Sequence, residues 1–128
     1  MEGDLFYCEE VTDAIIASAI EVHKHLGPGL LESAYEECLC HELSLNKVPF
    51  KRQVDLPLEY KGISLDCGYR IDMVVDDKVI IELKCVDKIV PVHEAQLLTY
   101  MKLSDIKVGL IINFRSNLIR NGIRRLVL

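Results

Sequence analysis

The sequence contains no apolar run that approaches the ~18 residues a helix needs to cross a bilayer. Its first ten residues, MEGDLFYCEE, are acidic and do not resemble a signal peptide. We therefore predict a cytoplasmic protein with no membrane partner. Internal repeats, low-complexity segments and linkers are also lacking, and 128 residues suffice to bury a core. Residues 1–128 are accordingly predicted to form a single domain.

The sequence also lacks a CxxC pair, and its five cysteines are an odd number. These two features argue against a disulfide framework and against a zinc knuckle, and the cysteine spacing gives no sign of an iron–sulfur cluster. Free, buried thiols are the prediction instead. HExxH spacing is missing as well, so the four histidines are expected to be helix-surface or packing residues.

Acidic residues are missing from the last fourteen residues, RSNLIRNGIRRLVL, which contain four arginines. The formal net charge of −5 is thus unevenly distributed, because residues 1–45 hold ten acids and one base, whereas residues 46–128 hold fourteen bases and ten acids. Such asymmetry is typical of a protein that binds an anionic partner with one face. It is equally compatible with a solvated surface and ion pairs between the two halves.

The hydrophobic pattern predicts two helices, then strands and one further helix. Apolar residues recur at helical spacing in the first part of the chain, where Thr12 or Asp13 would cap the first helix. Two prolines in residues 49–62 favour an edge strand, and the strongly apolar residues 107–114 favour an internal strand. The predicted order is α-α-β-β-β-α-β-(β), an α/β fold with a mixed sheet flanked by helices. In chain order, these elements are helices 10–26 and 30–46, strands 49–62, 63–77 and 78–86, helix 92–104, and strands 107–114 and 122–128.

Asp72 and Glu82 interrupt two adjoining apolar strands, and the register of these strands decides whether the carboxylates meet. Cross-strand partners in an antiparallel hairpin share a face. A two-residue loop would put the two carboxylates on opposite faces, whereas a three-residue loop, residues 76–78, pairs Asp72 with Glu82. The second register is preferred because it leaves the opposite face wholly apolar. The two faces would then be Arg70, Asp72, Val74, Ile80, Glu82 and Lys84 on one side and Ile71, Met73, Val75, Val79, Ile81, Leu83 and Cys85 on the other.

Two ionised carboxylates with Cβ atoms about 5 Å apart repel each other strongly in a half-buried site. A divalent cation with a preference for oxygen ligands, Mg²⁺ or Mn²⁺, would remove this conflict. Lys84 on the same face would then orient a water molecule or stabilise charge on a phosphate. The alternative is that Arg70, Asp72, Glu82 and Lys84 form an ion-pair cluster without chemistry.

The Asp-x9-Glu-x-Lys spacing on a hairpin resembles the PD-(D/E)XK nuclease superfamily, whose core is α-β-β-β-α-β. The predicted order contains this core with an extra N-terminal helix. Residues 29–35, GLLESAY, are similar to the GxxExxY signature of a small bacterial family placed in this superfamily. IDMVVDDKVIIELK, QLLTYMKL and VGLIINF also resemble that family, in the same order. The proline that often precedes the first acid is replaced here by Ile71.

The resemblance implies roles for five residues around the hairpin. Asp72 and Glu82 would bind Mg²⁺ or Mn²⁺, with the carbonyl of Leu83 as a third ligand. Lys84 would be the catalytic lysine. Glu32 would be the helical acid that completes or orients the metal site.

Gln96 and Tyr100 match the QxxxY pattern of the helix that follows ExK in the exonuclease-like branch, and their spacing places both on one helix face. Taken separately, they are also explained as a surface amide and a core aromatic. The resemblance implies a metal-dependent nuclease that hydrolyses nucleic acid, with DNA favoured. The alternative is a non-catalytic nucleic-acid-binding or protein-interaction module that keeps the nuclease fold. A homodimer stays open, since one small domain offers little surface for sequence recognition.

Overall fold

The computed structural model describes residues 8–128 as an α/β fold with three α-helices, one short 3-10 helix (Ile119–Gly122) and seven strands. Residues 1–7, part of the acidic segment and of the predicted domain, lie outside this range. The helices are α1 (Glu9–Leu26), α2 (Glu32–Leu45) and α3 (Pro91–Ser104). The strands are β1 (Phe50–Asp55), β2 (Leu58–Tyr60), β3 (Ile63–Leu65), β4 (Arg70–Val75), β5 (Val79–Lys84), β6 (Val108–Asn113) and β7 (Ile123–Val127). Between residues 8 and 128, no helix is long and apolar enough to cross a membrane.

Five of the strands form one mixed sheet in the order β1-β4-β5-β6-β7. Only β5 and β6 run parallel, and α3 makes the crossover between them. β1 lies at an edge and β6 is internal, as the proline content and the apolar run predicted. The mixed sheet flanked by helices is thereby confirmed.

A small additional hairpin, β2 with β3, was not predicted. Residues 49–62 and 63–77 were each expected to be one strand, and both are split in two. Pro57 lies at the first split, where it has no N–H to donate to a ladder. Gly68 lies at the second split with a φ of 75°, and its N–H donates to Oδ1 of Asp66 over 3.1 Å. Turn-forming residues thus override the alternating pattern in both segments.

The predicted three-residue loop between β4 and β5 is confirmed. Asp76 and Asp77 adopt left-handed φ values of 53° and 54°, and the N–H of Lys78 donates to the carbonyl of Val75 over 3.0 Å. The backbone pairs are Met73 with Ile81, Val74 with Ile80 and Val75 with Val79, all in the preferred register.

Helices cover both faces of the sheet. The face under α1 and α2 carries the larger apolar core, which includes Ile15, Leu39, Met73, Ile81 and Leu110. The face under α3 carries a second core, which includes Val74, Ile80, Leu97, Met101 and Ile111. Ile71 was predicted to share the face of Met73, but it packs in the second core. The ladder from β4 to β5 ends at Met73, so Ile71 is not held to the alternation of that hairpin.

Two local predictions were also wrong. The N-cap of α1 is Cys8, and the hydroxyl of Thr12 instead donates to the carbonyl of Glu9 over 3.0 Å inside the helix. All five cysteines are free, but only Cys40 is buried, and Cys67 is exposed.

Gly109 in β6 lies directly beneath two side chains of α3. A Cβ atom at this position would lie 2.8 Å from Sδ of Met101 and 2.9 Å from Cδ1 of Leu97. Both side chains are fully buried, so each would have to shift against other core atoms to make space. The distance between α3 and the sheet therefore depends on the absence of a side chain here.

We expect Gly109→Ala to lower the free energy of unfolding by about 1 to 3 kcal/mol, because overpacking a dense core forces side chains off their rotamers. Chemical denaturation measures the change. Gly29→Ala is the control, since an added Cβ there would meet no atom within 4 Å and its φ is not left-handed. That variant should stay within about 0.5 kcal/mol of the parent. Equal stability of Gly109→Ala and the parent would contradict the close packing of α3.

Candidate active site

Asp72 lies in the middle of the sheet, yet it has no backbone partner on either side. On the side of β1, the pairs Arg52–Met73 and Val54–Ile71 leave out Gln53, which stands opposite Asp72. On the side of β5, the ladder ends at Met73–Ile81, one position before Glu82. The ladder with β1 is therefore interrupted at Asp72 and resumes at Ile71, whereas the ladder with β5 ends before Asp72.

Side-chain hydrogen bonds replace the missing ladder between β4 and β5. The N–H of Asp72 donates to Oε2 of Glu82 over 2.9 Å, and the N–H of Leu83 donates to Oδ2 of Asp72 over 2.8 Å. Each carboxylate thus accepts a backbone donor from the opposite strand and keeps its second oxygen for another contact. The two acids predicted to meet do lie together, in the gap where the strands part.

The charges at this gap are poorly compensated. Burial, followed by the charge of Asp72, raises the pKa of Glu82 from 4.5 to about 8. Burial also raises the pKa of Asp72, although the Leu83 N–H opposes this rise. Glu32 lies at the exposed rim, where partial burial and the charge of Asp72 raise its pKa. The three acids therefore form a site that favours the addition of positive charge.

Lys84 supplies part of that positive charge. Its ammonium lowers the pKa of Glu32, Asp72 and Glu82, so it lies within electrostatic reach of all three acids. The backbone at Lys84 is fixed from β6, because the N–H of Phe114 donates to the Lys84 carbonyl over 2.9 Å. The structure thus brings together the acids and the lysine that the sequence pattern singled out.

Glu36, one turn after Glu32 on α2, was missed by the sequence prediction. It is buried, and its Oε2 accepts from Nη2 of Arg52 over 2.7 Å. Its Oε1 accepts from Nε2 of Gln53 over 2.9 Å. Because both of its carboxylate oxygens accept hydrogen bonds, the charge of Glu36 is compensated, unlike the charges of the three acids beside it. The i, i+4 spacing to Glu32 was the only sequence signal that could have indicated its place.

Two residues of the GxxExxY segment have different roles. Tyr35 is fully buried, and its ring stacks on Phe114 with centroids 4.4 Å apart. Its hydroxyl donates to the carbonyl of Gly27 and accepts from the N–H of Leu30, which ties down the loop before α2. Tyr35 thus has a structural role, whereas Glu32, one turn earlier, faces the site.

Gln96 and Tyr100 approach from α3. Nε2 of Gln96 donates to the hydroxyl oxygen of Tyr100 over 2.9 Å, and Tyr100 is buried while Gln96 is exposed. Burial and then the charge of Glu82 raise the pKa of Tyr100, which places its hydroxyl near the acidic gap. His93 is not part of this group, because its Nδ1 accepts from the N–H of Val90 and helps to cap α3.

The donor set fits a hard divalent cation, since it consists of carboxylate oxygens with excess negative charge. Even so, within residues 8–128 no three His, Cys, Asp or Glu side chains are arranged so that they could hold an ion. The carboxylates of Asp72 and Glu82 are turned towards backbone donors instead. Leu83 contacts the site through its N–H, and its predicted carbonyl ligation stays a prediction.

A comparison with protein families gives the class of the chain. Residues 9–126 match the model of the PD-(D/E)XK nuclease superfamily. The chain therefore belongs to this superfamily, and its architecture and acidic gap agree with that assignment. No curated protein and no solved structure matches the chain significantly.

The raised pKa of Glu82 predicts a pH-dependent stability. The folded protein binds this proton more tightly than the unfolded chain, so the free energy of unfolding should fall as the pH rises from about 4.5 to about 8. Glu82→Gln carries no charge but keeps an oxygen for the Asp72 N–H. In EDTA at pH 8 it should be more stable than the parent by roughly 1 to 3 kcal/mol, and this gain should vanish near pH 4.5.

Denaturation at several pH values in EDTA measures this difference. The control is Glu59→Gln on the exposed part of β2, which should keep the parent's pH dependence. A parent whose stability rises steadily between pH 5 and 8, with Glu82→Gln following the same curve, would contradict the assignment.

Proposed function

We propose that the chain is a divalent-cation-dependent nuclease of the GxxExxY group that hydrolyses phosphodiester bonds in nucleic acid, with DNA as the favoured substrate. The observation that carries the proposal is the group of three acids whose pKa values are raised together beside Lys84. Such a group destabilises the folded state unless positive charge joins it. In a member of a nuclease superfamily, the presence of this group supports a functional role.

Asp72 and Glu82 would hold Mg²⁺ or Mn²⁺, with the Leu83 carbonyl and Glu32 as further oxygen donors. When bound, the cation would polarise a phosphoryl oxygen and lower the pKa of a coordinated water. The acids would have to ionise and turn their second oxygens towards the cation. Cation affinity should accordingly rise with pH up to about 8, the pKa of Glu82.

The remaining residues would act on the phosphate and on water. The ammonium of Lys84 would neutralise charge that develops on the phosphate oxygens. The Tyr100 hydroxyl accepts from Gln96, so its own proton stays available for donation to a phosphate oxygen or a water. Because the pKa of Tyr100 is raised, this proton is retained at neutral pH.

A cavity of about 400 Å³ adjoins this group between β2 and α3. Gln96, Tyr100 and Tyr69 contribute to its lining, and the rings of the two tyrosines lie 6.3 Å apart. The volume falls in the range of small-ligand sites, and an exposed aromatic ring such as that of Tyr69 can stack on a nucleobase. The cavity thus supports a substrate that extends from the acidic gap along α3.

Electrostatic attraction to nucleic acid is weaker than the basic residues alone would suggest. The approach of nucleic acid would have to be lined by basic residues, namely Lys51, Arg52, Arg70, Lys88 and the C-terminal arginines Arg115, Arg120, Arg124 and Arg125. Of these, Lys51, Arg52, Arg70 and Arg115 each form an ion pair with an acid. Affinity that comes from neutralised phosphates should then be modest, and its dependence on salt should be shallow, because the slope scales with the number of phosphates neutralised. A homodimer would supply more surface for recognition, and this remains part of the proposal.

The function is tested by incubation of the full chain with single- and double-stranded DNA and RNA in Mg²⁺, Mn²⁺ or EDTA. We expect cleavage of DNA only with a divalent cation. Either cation at millimolar concentration should also raise the Tm, and more so at pH 8 than at pH 6, because the acids are then ionised. No cleavage and no Tm shift with either cation would reject the nuclease and favour a non-catalytic module.

Substitution of Lys84 distinguishes a role in catalysis from a role in substrate binding. An ammonium that acts on transition-state charge should lower kcat far more than substrate affinity when it is removed, by roughly 10²- to 10³-fold. Lys84→Ala should therefore retain the fold and bind DNA within a few-fold of the parent while kcat collapses. Lys84→Arg should rescue poorly, because a planar guanidinium does not replace a compact ammonium.

Lys78→Ala is the matched control. It removes the same charge from the loop residue that precedes the other end of β5, where Lys78 pairs with Asp76. Its kcat should equal that of the parent. Loss of DNA binding by Lys84→Ala, with kcat at saturation unchanged, would make Lys84 a phosphate anchor.

A further inference from the structure

The backbone pairing places Arg124 on the same face of the sheet as Glu82 and Lys84. Glu82 in β5 pairs with Ile111 in β6, and Ile111 pairs with Arg124 in β7. Side chains of paired residues share a face. Because neighbouring strands lie about 4.8 Å apart, the Cα atoms of Glu82 and Arg124 are roughly 10 Å apart.

A small cavity of about 110 Å³ lies on this side of the acidic gap, at the carboxyl ends of β5 and β6. Its lining comes from the loop after β5, from the end of β6 with the loop that follows, and from the 3-10 helix with the start of β7. Sites for drug-sized ligands begin at roughly 300 Å³. This basic cavity therefore suits an ion the size of a phosphate better than a larger organic molecule.

Asn113 fixes two walls of the basic cavity. Its side chain is buried, and Oδ1 accepts from the N–H of Val86 over 3.1 Å and from the N–H of Arg115 over 3.2 Å. Nδ2 donates to the carbonyl of Val86 over 2.8 Å. One buried amide thus holds the loop after β5 against the loop after β6.

The third wall, the 3-10 helix, approaches through a residue without a side chain. A Cβ atom at Gly122 would overlap Oγ of Ser116 and would lie 2.5 Å from the carbonyl oxygen of Asn113. The 3-10 helix can therefore lie against the end of β6 only because this residue is glycine. The shape of the basic cavity is thus set by close backbone contacts.

Two cations without acidic partners line the basic cavity. Lys88 and Arg124 are exposed, and neither forms an ion pair with an acid among residues 8–128. Nη1 of Arg124 donates to the carbonyls of Asn121 and Ile123 over 3.1 and 3.2 Å, which holds the guanidinium beside the 3-10 helix. Its other N–H groups stay available for an acceptor.

One acid, Asp87, also lines the basic cavity. It pairs with Arg115 over 3.4 Å, and its side chain is 95% exposed, so its charge is already engaged and well solvated. Residues 85–90 and 113–124, which supply the lining, contain four basic residues and this one acid, in a chain with a formal net charge of −5. A solvated surface would mix the two signs, whereas a local excess of one sign attracts the opposite ion.

Lys84 lies between the acidic gap and the basic cavity. It pairs with Asn113 across β5 and β6, and four residues of chain, at most about 14 Å, separate it from Lys88. Each strand of a duplex carries one phosphate per roughly 3.4 Å of its axis. A strand with one phosphate at Lys84 would therefore present another to the basic cavity roughly three or four nucleotides away.

We propose that the basic cavity binds a backbone phosphate of a nucleic-acid strand through Lys88 and Arg124, roughly three or four nucleotides from the phosphate that would be cleaved. The position of the strand rests on the proposed nuclease function. The binding of a strand phosphate does not depend on cleavage. Free phosphate is the other source of the same chemistry, and the test distinguishes the two.

Lys88→Gln and Arg124→Gln each remove one positive charge from the basic cavity and keep a polar side chain. Both residues are exposed, so both variants should keep a Tm close to that of the parent. Lys102→Gln is the matched control. Lys102 is exposed, forms no ion pair with an acid among residues 8–128, and lies in the last turn of α3, at the opposite end of β6 from the basic cavity.

Fluorescence anisotropy with labelled single-stranded DNA in EDTA measures affinity without cleavage. One phosphate contact contributes about 0.7 to the slope of log K against log salt for a single strand, so each cavity variant should lower the slope by about 0.7. The same loss corresponds to roughly five- to tenfold weaker binding at about 50 mM salt. Two unrelated DNA sequences should give equal losses, because phosphates carry no sequence information. Lys102→Gln should bind like the parent.

Two further ligands identify the group that the basic cavity recognises. An oligonucleotide with uncharged methylphosphonate linkages should not distinguish the cavity variants from the parent. Inorganic phosphate, added at constant ionic strength, should compete only at concentrations far above that of the oligonucleotide, because it makes one of several contacts. Competition at equal concentration would make the cavity a site for free phosphate and would overturn the proposal.

Parent-like affinity and salt slope in both Lys88→Gln and Arg124→Gln would also overturn the proposal, and so would an equal loss in Lys102→Gln. If the parent cleaves DNA while both cavity variants bind like the parent, the nuclease function stands without this phosphate site. If the parent cleaves nothing with either cation, but the cavity variants show the expected losses, the nuclease function fails and the phosphate site stands.

Discussion

At Asp72, hydrogen bonds to carboxylates replace the backbone hydrogen bonds of the sheet. The rest of the structure depends on this constraint. A central strand normally pairs on both sides, and an unpaired buried N–H costs about 1 to 3 kcal/mol. Here Glu82 accepts the N–H of Asp72, and Asp72 accepts the N–H of Leu83. The strands can therefore separate without orphaned donors, and the space between them is filled by acids.

The acids around this opening differ in how far their negative charge is compensated. Glu36 has both oxygens satisfied by Arg52 and Gln53, so it serves as a fixed point for α2 against β1. Asp72 and Glu82 accept only partial compensation, and burial raises the pKa of both. A fold that needed these acids only for packing would gain stability from apolar replacements of similar volume. The presence of such acids beside Lys84, in a member of a nuclease superfamily, therefore supports a functional role.

Much of this arrangement follows from the alternation of side chains between the two faces of each strand. A slip of one residue in the pairing of β4 and β5 would have buried charged side chains, so an apolar face on both strands required the three-residue loop. That loop placed Asp72 opposite Glu82. The split strands and the placement of Ile71 were missed, since turn residues and the loss of the ladder act against alternation. The hydrogen bonds of Glu36 with Arg52 and Gln53 were missed for a different reason. Their contacts join α2 to β1, and a pairing between separate elements leaves no periodic trace in the sequence.

The GxxExxY segment shows how one short motif supports two parts of the site. Tyr35 stacks on Phe114, and Phe114 in turn donates its N–H to the carbonyl of Lys84. The same Tyr35 fixes the loop from which α2 starts, and Glu32 is the first residue of that helix. The tyrosine ring therefore sets the distance between the start of α2 and the end of β5. Because the acid and the lysine lie on different elements, this shared aromatic contact is what keeps both at the same opening in the sheet.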